Sequence, residues 1–303
     1  MMRAARYASL IAIGGVSFLL MNTIQKDLEP IVKNVAETYE IKAPKTPNYL
    51  ELAGERVPIE RYDIKERMDR ELLVNTYWQS NGLLLIKRAN KYFPIIESIL
   101  AEEGIPDDFK YLAVAESALL VNNPSHARAS GLWHFLPRTA REKKFNLEVN
   151  KNVDERYHIE KSTKAAARYL RDAKKKFGSW TLAAAAYNAG MGRVSQRLKA
   201  QQVNNYYDAL LPDETERYVF RILALKEIMT HPEKYGFKFD KDDLYTFPKT
   251  YEVEVDTAIT NIASFAKNFG ITYKQLKLVN PWLRENKLNN KSRKLYKIKI
   301  PVQ

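Results

Sequence analysis

The residues Phe109-Lys-Tyr-Leu-Ala-Val-Ala-Glu-Ser-Ala-Leu-Leu120 form a mostly apolar segment that carries one carboxylate, Glu116. It follows Gly104-Ile-Pro106, where glycine ends one helix and proline suits the first turn of the next. Phe109, Leu112 and Glu116 share one helix face by their spacing. A carboxyl group partly buried among apolar side chains loses solvation of its charged form, which raises its pKa toward neutrality. The segment therefore predicts a helix that presents a general acid.

Helical spacing extends to both sides of this segment. Apolar residues recur at that spacing from about residue 60 to 100, where Gly82 and Pro94 predict interruptions, and two or three packed helices fit. Downstream, the pattern predicts helices over Ser162 to Phe177, Trp180 to Asn188 and Thr215 to Thr230. The predicted fold class is therefore mainly α.

The segment Gly131-Leu-Trp-His-Phe135 combines a permissive backbone with large rings. Such a segment suits the wall of a saccharide groove, and a core turn that holds Trp133 and Phe135 fits its composition equally well. His134 is a candidate acid or base because the unperturbed pKa of histidine is near neutrality. The sequence shows no obvious carboxylate partner for it. The spacing of the four histidines is not that of metal ligands, so we predict no metal site. The histidines are His126, His134, His158 and His231.

Two further segments place polar side chains at helix ends. Ala186-Tyr-Asn-Ala-Gly190 ends an alanine-rich helix, where Tyr187 and Asn188 can face a cleft or simply pack and cap the helix. Glu214 and Tyr218 lie four positions apart on one helix face, as site residues or as an ordinary helix-start acid and a core tyrosine.

Taken in chain order, these segments resemble the lytic transglycosylase domain, the goose-lysozyme-like catalytic domain of bacterial wall enzymes. The resemblance covers about residues 95 to 230 and looks closest to the membrane-bound transglycosylase D type. It rests on Glu116-Ser117, Gly131 to Phe135, Ala186 to Gly190, and the Glu-Thr-x-x-Tyr-Val element from Glu214 to Val219.

The resemblance implies cleavage of the β-1,4 bond between N-acetylmuramic acid and N-acetylglucosamine, with closure of a 1,6-anhydro ring and no cofactor. Glu116 would be the single acid/base, and Tyr218 would hydrogen-bond to it. A two-carboxylate glycosidase would need a second acid, for which Glu214 and Asp154 stay open. The residues implied to bind substrate are Ser117, Gly131, Trp133, His134, Tyr187, Asn188, Glu214 and Tyr218.

The sequence departs from the family pattern at two positions. His134 stands where the family usually has glutamine, and Arg128 stands where these loops usually have glycine. A long cationic side chain there would clash with a muramyl peptide carboxylate or grip it.

The last fifty residues predict a small βααβ unit. An alternating strand begins at Tyr251, helices follow over Ile259 to Phe269 and Tyr273 to Val279, and Lys294 to Ile300 forms the closing strand. This order resembles a LysM glycan-binding module over 250–303, although Val255 replaces an expected glycine. We therefore expect a lysozyme-like helical catalytic domain over 60–240 followed by this α/β module.

The N-terminus predicts export. Arg3 and Arg6 precede the uncharged apolar run from Tyr7 to Met21, so residues 1–24 fit a signal peptide or, through 7–24, an inner-membrane anchor; an ordinary buried helix is the alternative. Residues 25–59 contain scattered prolines and predict a linker. The predicted location is the periplasm or cell envelope.

Composition narrows the partner. The 303 residues hold 49 Lys and Arg against 36 Asp and Glu, a net charge of +13, which favours an anionic partner such as peptidoglycan. The charge is scattered and no reading motif is present, which disfavours nucleic acid. With no cysteine, disulfides, thiolate zinc sites and a lipidated cysteine are excluded. We expect a monomer that cleaves peptidoglycan glycan strands; the alternatives are a hydrolysing muramidase and a non-catalytic wall-binding protein.

Overall fold

Helices dominate the middle of the chain, and a two-stranded sheet lies toward each end. The computed structural model describes residues 41–125 and 127–302, so the predicted signal or anchor lies outside the described residues. The strands are β1 (Glu51–Leu52), β2 (Glu55–Arg56), β3 (Thr250–Val255) and β4 (Tyr296–Pro301). The helices are α1 (Tyr62–Tyr77), α2 (Gln79–Glu102), α3 (Lys110–Ser117), α4 (Pro137–Ala140), α5 (Ile159–Phe177), α6 (Trp180–Ala189), α7 (Met191–Gln201), α8 (Asp213–Thr230), α9 (Ile262–Lys267) and α10 (Tyr273–Val279).

The first hairpin belongs to the folded core. β1 and β2 pair antiparallel, and the side chains of Leu50, Leu52 and Val57 are buried. The expectation that residues up to 59 form a linker is therefore wrong for its last part. The physical reason is the hydrophobic effect. These three apolar side chains are buried in the core, whereas a solvated tether would leave them exposed to water.

The hairpin also fixes the start of α6. The carboxylate of Glu55 accepts hydrogen bonds from the backbone N–H groups of Trp180 (2.6 Å) and Thr181 (2.8 Å). An anion is favoured at a helix N-terminus, and despite partial burial these bonds and the Lys174 ammonium lower the pKa of Glu55 to about 2.

The helical core places α3 against α8 and α6 against both α5 and α8. Small residues make the close approach of α5 and α6 possible: Ala165 to Ala167 and Ala183 to Ala186 are all buried. Three helices that carry predicted site residues thus meet in one region. The predicted interruptions at Gly82 and Pro94 are wrong, because both residues lie inside the continuous helix α2. A Cβ at position 82 would lie 2.5 Å from the Phe237 ring, which explains the glycine there by packing.

The C-terminal module has the predicted βααβ order. β3 and β4 pair antiparallel from Thr250↔Pro301 to Val255↔Tyr296, and α9 and α10 connect them. The mainly helical fold class with a small C-terminal sheet domain is confirmed.

The module packs against the helical part, and residues 44–303 form one compact unit. The Asp154 N–H donates to the Trp282 carbonyl (2.9 Å), and the Asn152 amide donates to the Lys287 carbonyl (2.6 Å). Hydrogen bonds from a backbone donor and a side-chain donor, both to backbone carbonyls, fix this junction.

None of the helices within 41–125 and 127–302 is both long enough and apolar enough to cross a membrane.

Candidate active site

Glu116 lies on the last turn of α3. The helix ends at Ser117, because Ala118 and Leu119 take left-handed conformations with φ of 51° and 55°. The Glu116 side chain keeps 16% of its surface exposed, so the carboxyl group is mostly desolvated but still reachable. From α8, the Tyr218 hydroxyl donates a hydrogen bond to Glu116 Oε1 at 2.5 Å.

Burial raises the pKa of Glu116 to about 7. The hydrogen bond from Tyr218 and the positive charge of Arg221 act in the opposite direction, and the negative charge of Glu214 adds to the rise. The result is a carboxyl group that holds and releases a proton near neutral pH. This property is what general acid catalysis requires.

His134 faces the second oxygen of the same carboxyl group. Its Nδ1 lies 3.6 Å from Glu116 Oε2, just beyond hydrogen-bond length, and its Nε2 lies 3.1 Å from the Asn123 carbonyl oxygen. A carbonyl only accepts, so the proton of the neutral imidazole is on Nε2 and the Nδ1 lone pair points toward Glu116. Burial lowers the pKa of His134, which favours this neutral form.

The inference that His134 has no obvious carboxylate partner is wrong. The partner is Glu116, eighteen positions earlier in the sequence. The contact depends on a left-handed backbone at His134, with φ of 45°, which turns the ring toward α3. Helical or strand periodicity could not have predicted it.

Tyr187 and Asn188 lie at the end of α6, beside this group. The Tyr187 hydroxyl donates to the Trp133 carbonyl (2.9 Å), and its pKa is raised well above the usual value by burial and by the charge of Glu116. Asn188 Oδ1 accepts a hydrogen bond from the Thr215 hydroxyl (2.8 Å), which fixes the amide orientation.

Three of the residues predicted to bind substrate are buried in the structure. The Ser117 hydroxyl is buried and donates to the Leu132 carbonyl (2.8 Å); Trp133 has no exposed surface and its indole N–H donates to Thr163 (2.8 Å). A Cβ on Gly131 would lie 1.8 Å from the Arg156 carbonyl oxygen, and its φ is 77°. These three residues support the turn that presents His134, and their contact with substrate stays a prediction.

The two candidates for a second carboxylate are both engaged. Asp154 forms a buried ion pair with Arg156 at 2.7 Å, and the exposed Glu214 pairs with Arg221 at 3.0 Å. The exposed Glu214 therefore lies at the edge of the site.

Arg128 is exposed and has a φ of 62°, a backbone conformation that explains the usual glycine at this position. The Arg128 carbonyl accepts a hydrogen bond from the Arg156 guanidinium at 2.8 Å.

Sequence reasoning missed the residue that holds the turn together. The Arg156 guanidinium is buried, and it donates to the carbonyls of Arg128 (2.8 Å) and Phe135 (3.0 Å) while it pairs with Asp154. The sequence shows an aspartate and an arginine two positions apart, Asp154 and Arg156. Such pairs are common on protein surfaces, so the spacing alone does not indicate a buried ion pair.

Two family models match parts of this chain. The family model described as the transglycosylase SLT domain matches residues 93–209, and the model described as the soluble lytic transglycosylase C-terminal LysM-like domain matches residues 251–303. Residues 93–209 of this chain therefore form an SLT domain, and residues 251–303 form a LysM-like domain.

Among curated proteins, the chain is similar to membrane-bound lytic murein transglycosylase D of Escherichia coli K12. The two are 29% identical over 230 residues, which cover 74% of this chain and 49% of the relative. A putative tributyltin chloride resistance protein of Alteromonas sp. is 33% identical over 108 residues, covering 35% of this chain and 51% of that protein. The chain spans about half the length of the curated relatives it matches.

Two solved structures also match part of the chain. An inactive mutant of lytic transglycosylase Slt from Pseudomonas aeruginosa is 25% identical, with a TM-score of 0.39, and the match covers 50% of this chain and 26% of that one. The soluble lytic transglycosylase Slt70 of Escherichia coli is 20% identical, with a TM-score of 0.43, and the match covers 67% and 40%.

Proposed function

We propose that this protein cleaves the β-1,4 bond between N-acetylmuramic acid and N-acetylglucosamine in peptidoglycan and leaves 1,6-anhydromuramyl ends. Glu116 acts as the single acid/base. The observation that carries the proposal is its carboxyl group, which burial keeps protonated up to about pH 7 while the Tyr218 hydroxyl holds one oxygen in place. The SLT domain match supports the substrate class.

The reaction needs one group to act twice. Protonated Glu116 gives its proton to the glycosidic oxygen, and the bond from the muramyl C1 to that oxygen breaks. The resulting carboxylate then takes the proton of the muramyl C6 hydroxyl, whose oxygen closes the ring on C1. Each cycle returns the proton to Glu116, so neither water nor a cofactor is consumed.

The neighbours of Glu116 suit both halves of this cycle. The Tyr218 hydroxyl stabilises the carboxylate that forms after the first proton transfer, because its hydrogen bond is stronger to the charged form. The Nδ1 lone pair of His134 favours the protonated form between cycles. Burial outweighs the hydrogen bond from Tyr218 and the charge of Arg221, which brings the pKa of Glu116 to about 7, near the working pH.

The carboxylate arrangement supports a mechanism with one acid. A retaining or inverting glycosidase has a second carboxylate roughly 5–9.5 Å from the first, free to act as nucleophile or to activate water. Asp154 is held in a buried ion pair with Arg156, and Glu214 is held by Arg221. A hydrolysing mechanism that used Asp154 or Glu214 would have to compete with the ion pair of that residue.

Digestion of purified sacculi followed by mass spectrometry of the fragments tests the proposal. We expect anhydromuramyl ends from the wild type, no fragments from Glu116→Gln, and unchanged products from the matched control Glu214→Gln. Reducing muramyl ends would establish the muramidase instead. Sacculus binding without fragments would identify a non-catalytic wall protein.

We further propose that the protein acts as a monomer in the cell envelope, with residues 7–24 as signal or membrane anchor, and that the LysM-like module contacts the glycan. The similarity to a protein named as membrane-bound supports the envelope location. Fractionation of cells, followed by detection of the full-length and truncated N-terminus, tests the anchor.

A further inference from the structure

Among the acidic side chains of α1, that of Glu71 is the buried one, with 2% of its surface exposed. α1 packs along α8, the helix that carries Tyr218, and Arg67 of α1 already pairs with Glu216 of α8 at 2.7 Å. A buried charge costs folding free energy unless it is paired, and well-packed apolar side chains can often replace such a pair without loss of stability. Stability alone therefore does not account for a carboxylate at this position.

Three arginines surround the Glu71 carboxylate, and they share its two oxygens unequally. Oε1 accepts hydrogen bonds from Arg70 at 2.5 Å and from Arg217 at 2.8 Å. Oε2 is buried and accepts no hydrogen bond from the described residues; Arg221 Nε lies 3.8 Å from it, which is an ionic contact. A buried carboxylate oxygen without a hydrogen bond is uncommon in folded proteins. The free oxygen of Glu71 thus acts on Arg221 through its charge.

Arg221 connects this cluster to the active site. It follows Tyr218 by three positions, so both side chains lie on one face of α8. Its Nη1 pairs with Glu214 Oε1 at 3.0 Å. Burial is the largest influence on the pKa of Glu116 and raises it, whereas the charge of Arg221 lowers it and that of Glu214 raises it. Arg221 therefore acts on Glu116 through space, while its ion pairs within the described chain are with two other carboxylates.

A guanidinium released near Glu116 would pair with its carboxylate. Arginine and carboxylate groups match in shape and form strong charge-assisted hydrogen bonds. A cation within about 4–6 Å lowers the pKa of a carboxyl group by about 1–3 units. Such a pair would leave Glu116 ionised at neutral pH, without the proton that the glycosidic oxygen needs. Competing carboxylates that hold Arg221 prevent this loss.

The other groups that face Glu116 carry no charge at neutral pH. From α8, the Tyr218 hydroxyl donates to Oε1 at 2.5 Å, and from the 131–135 turn the neutral His134 ring lies 3.6 Å from Oε2. From α6, the nearby Tyr187 is kept neutral by burial and by the charge of Glu116, which together hold its pKa well above the usual value. The cation that acts on the pKa of Glu116 is Arg221, so its placement is decisive.

We propose that Glu71 is a positioning residue, which holds the Arg221 guanidinium away from the carboxylate of Glu116 and so keeps this acid able to donate its proton. Its importance for turnover rests on the proposed function, but the placement of Arg221 does not. Glu214 is the weaker of the two partners, because 57% of its side-chain surface is exposed and water screens its ion pair. α1, which precedes the SLT domain, would thereby contribute to its chemistry.

The ionisation of Glu116 tests the proposal without any substrate. The glutamate carboxyl carbons of the full chain are labelled for NMR, and the signal of Glu116 is assigned by its absence in Glu116→Gln. We expect a titration midpoint of about 7 in the wild type and a midpoint about 1 pH unit lower in Glu71→Gln, because the freed guanidinium stabilises the carboxylate. The matched control Glu227→Gln removes another buried carboxylate, paired with Lys234 at 2.6 Å, and should leave the midpoint in place. An unmoved or raised midpoint in Glu71→Gln overturns the proposal.

A double variant shows whether Glu71 acts through Arg221. Arg221→Met removes the charge that lowers the pKa of Glu116, so the midpoint should rise above that of the wild type. Adding Glu71→Gln should then have no further effect, since no guanidinium is left to position. If the added substitution lowers the midpoint as much as Glu71→Gln does alone, the charge of Glu71 acts on Glu116 directly and the positioning role is refuted.

Melting temperatures of the same samples separate positioning from a structural role. A purely structural role for Glu71 predicts a lower melting temperature with the midpoint of Glu116 in place, and this combination refutes the proposal. If Glu71→Gln does not fold, Glu71→Asp carries the test, because it keeps the charge but withdraws it from Arg221 by one methylene group. Its midpoint should fall by less than about 1 pH unit, and an unchanged midpoint overturns the proposal.

Turnover should follow the same shift. On soluble glycan strands, the alkaline limb of kcat/KM should move to lower pH in Glu71→Gln by the change in midpoint, so that kcat/KM at pH 8 falls about tenfold. Glu227→Gln should keep the limb of the wild type. A limb that stays in place in Glu71→Gln contradicts the role of Glu71 in catalysis. Absence of anhydromuramyl products on every substrate would instead refute the proposed function, while the carboxyl titration still decides on Glu71.

Discussion

Removal of the Tyr218 hydroxyl is expected to move the pH range in which the protein is active. In Tyr218→Phe the ring stays in the core, and the carboxyl of Glu116 loses the donor that lies 2.5 Å from Oε1. This hydrogen bond lowers the pKa of Glu116, so its loss raises the pKa. A hydrogen bond to a charged group contributes about 1.5–3 kcal/mol, and one pKa unit corresponds to about 1.4 kcal/mol.

The pKa of Glu116 should therefore rise by about 1 to 2 units from about 7. Since a general acid must be protonated to act, the alkaline limb of kcat/KM should move to higher pH by the same amount. The maximal rate should fall, because the carboxylate formed after the first proton transfer is less stabilised.

The assay is the pH profile of kcat/KM on soluble glycan strands. The matched control is Tyr206→Phe, which removes another buried hydroxyl, one that bonds to the Glu216 carbonyl. It should leave the alkaline limb in place. An unmoved or acid-shifted limb in Tyr218→Phe would show that Glu116 is not the titrating acid, or that Tyr218 does not control it.

Three other changes have defined outcomes. Because the folded state raises the pKa of Glu116 from 4.5 to about 7, the wild type loses stability as the pH rises through that window. Glu116→Gln lacks this loss and should be more stable than the wild type by about 3 kcal/mol at pH 8, measured by denaturant unfolding. Equal stability of the two proteins at pH 8 would contradict the pKa shift. His134→Gln replaces a lone pair by an amide that can donate, so the alkaline limb of kcat/KM should move to lower pH; a shift to higher pH would contradict the assigned tautomer. Gly131→Ala should cost more than about 2 kcal/mol in free energy of unfolding, because its Cβ meets the Arg156 carbonyl, whereas the control Gly178→Ala, with φ of 70° and open space, should cost only about 1 kcal/mol; equal costs would refute the clash.

The elements that depend on regular spacing could be predicted from the sequence. α10 runs from Tyr273 to Val279 as the apolar pattern predicts, because a Thr272 cap and buried Leu276 make its local preference and its packing agree. The face shared by Glu116 and Leu112 on α3 also follows from helical geometry. The contact between Tyr218 and Glu116, which only the resemblance implied, is present in the structure.

The rest depends on loop paths, which spacing does not encode. Trp133 is as compatible with a groove wall as with a core turn until the indole is seen to bond to Thr163. His134 meets Glu116 only because the backbone adopts a positive φ there. Leu52 looks like part of a tether until the hairpin is placed against the helices, where it is fully buried.

The bond between Glu55 and the first turn of α6 sets a practical limit on how the protein can be shortened. A chain cut at the predicted boundary of residue 60 would lack Glu55, and the N–H groups of Trp180 and Thr181 would lose their acceptor at the beginning of the helix that ends in Tyr187 and Asn188. The minimal folded chain therefore starts before the hairpin, because Glu55 of the hairpin holds the first turn of the helix that carries Tyr187 and Asn188.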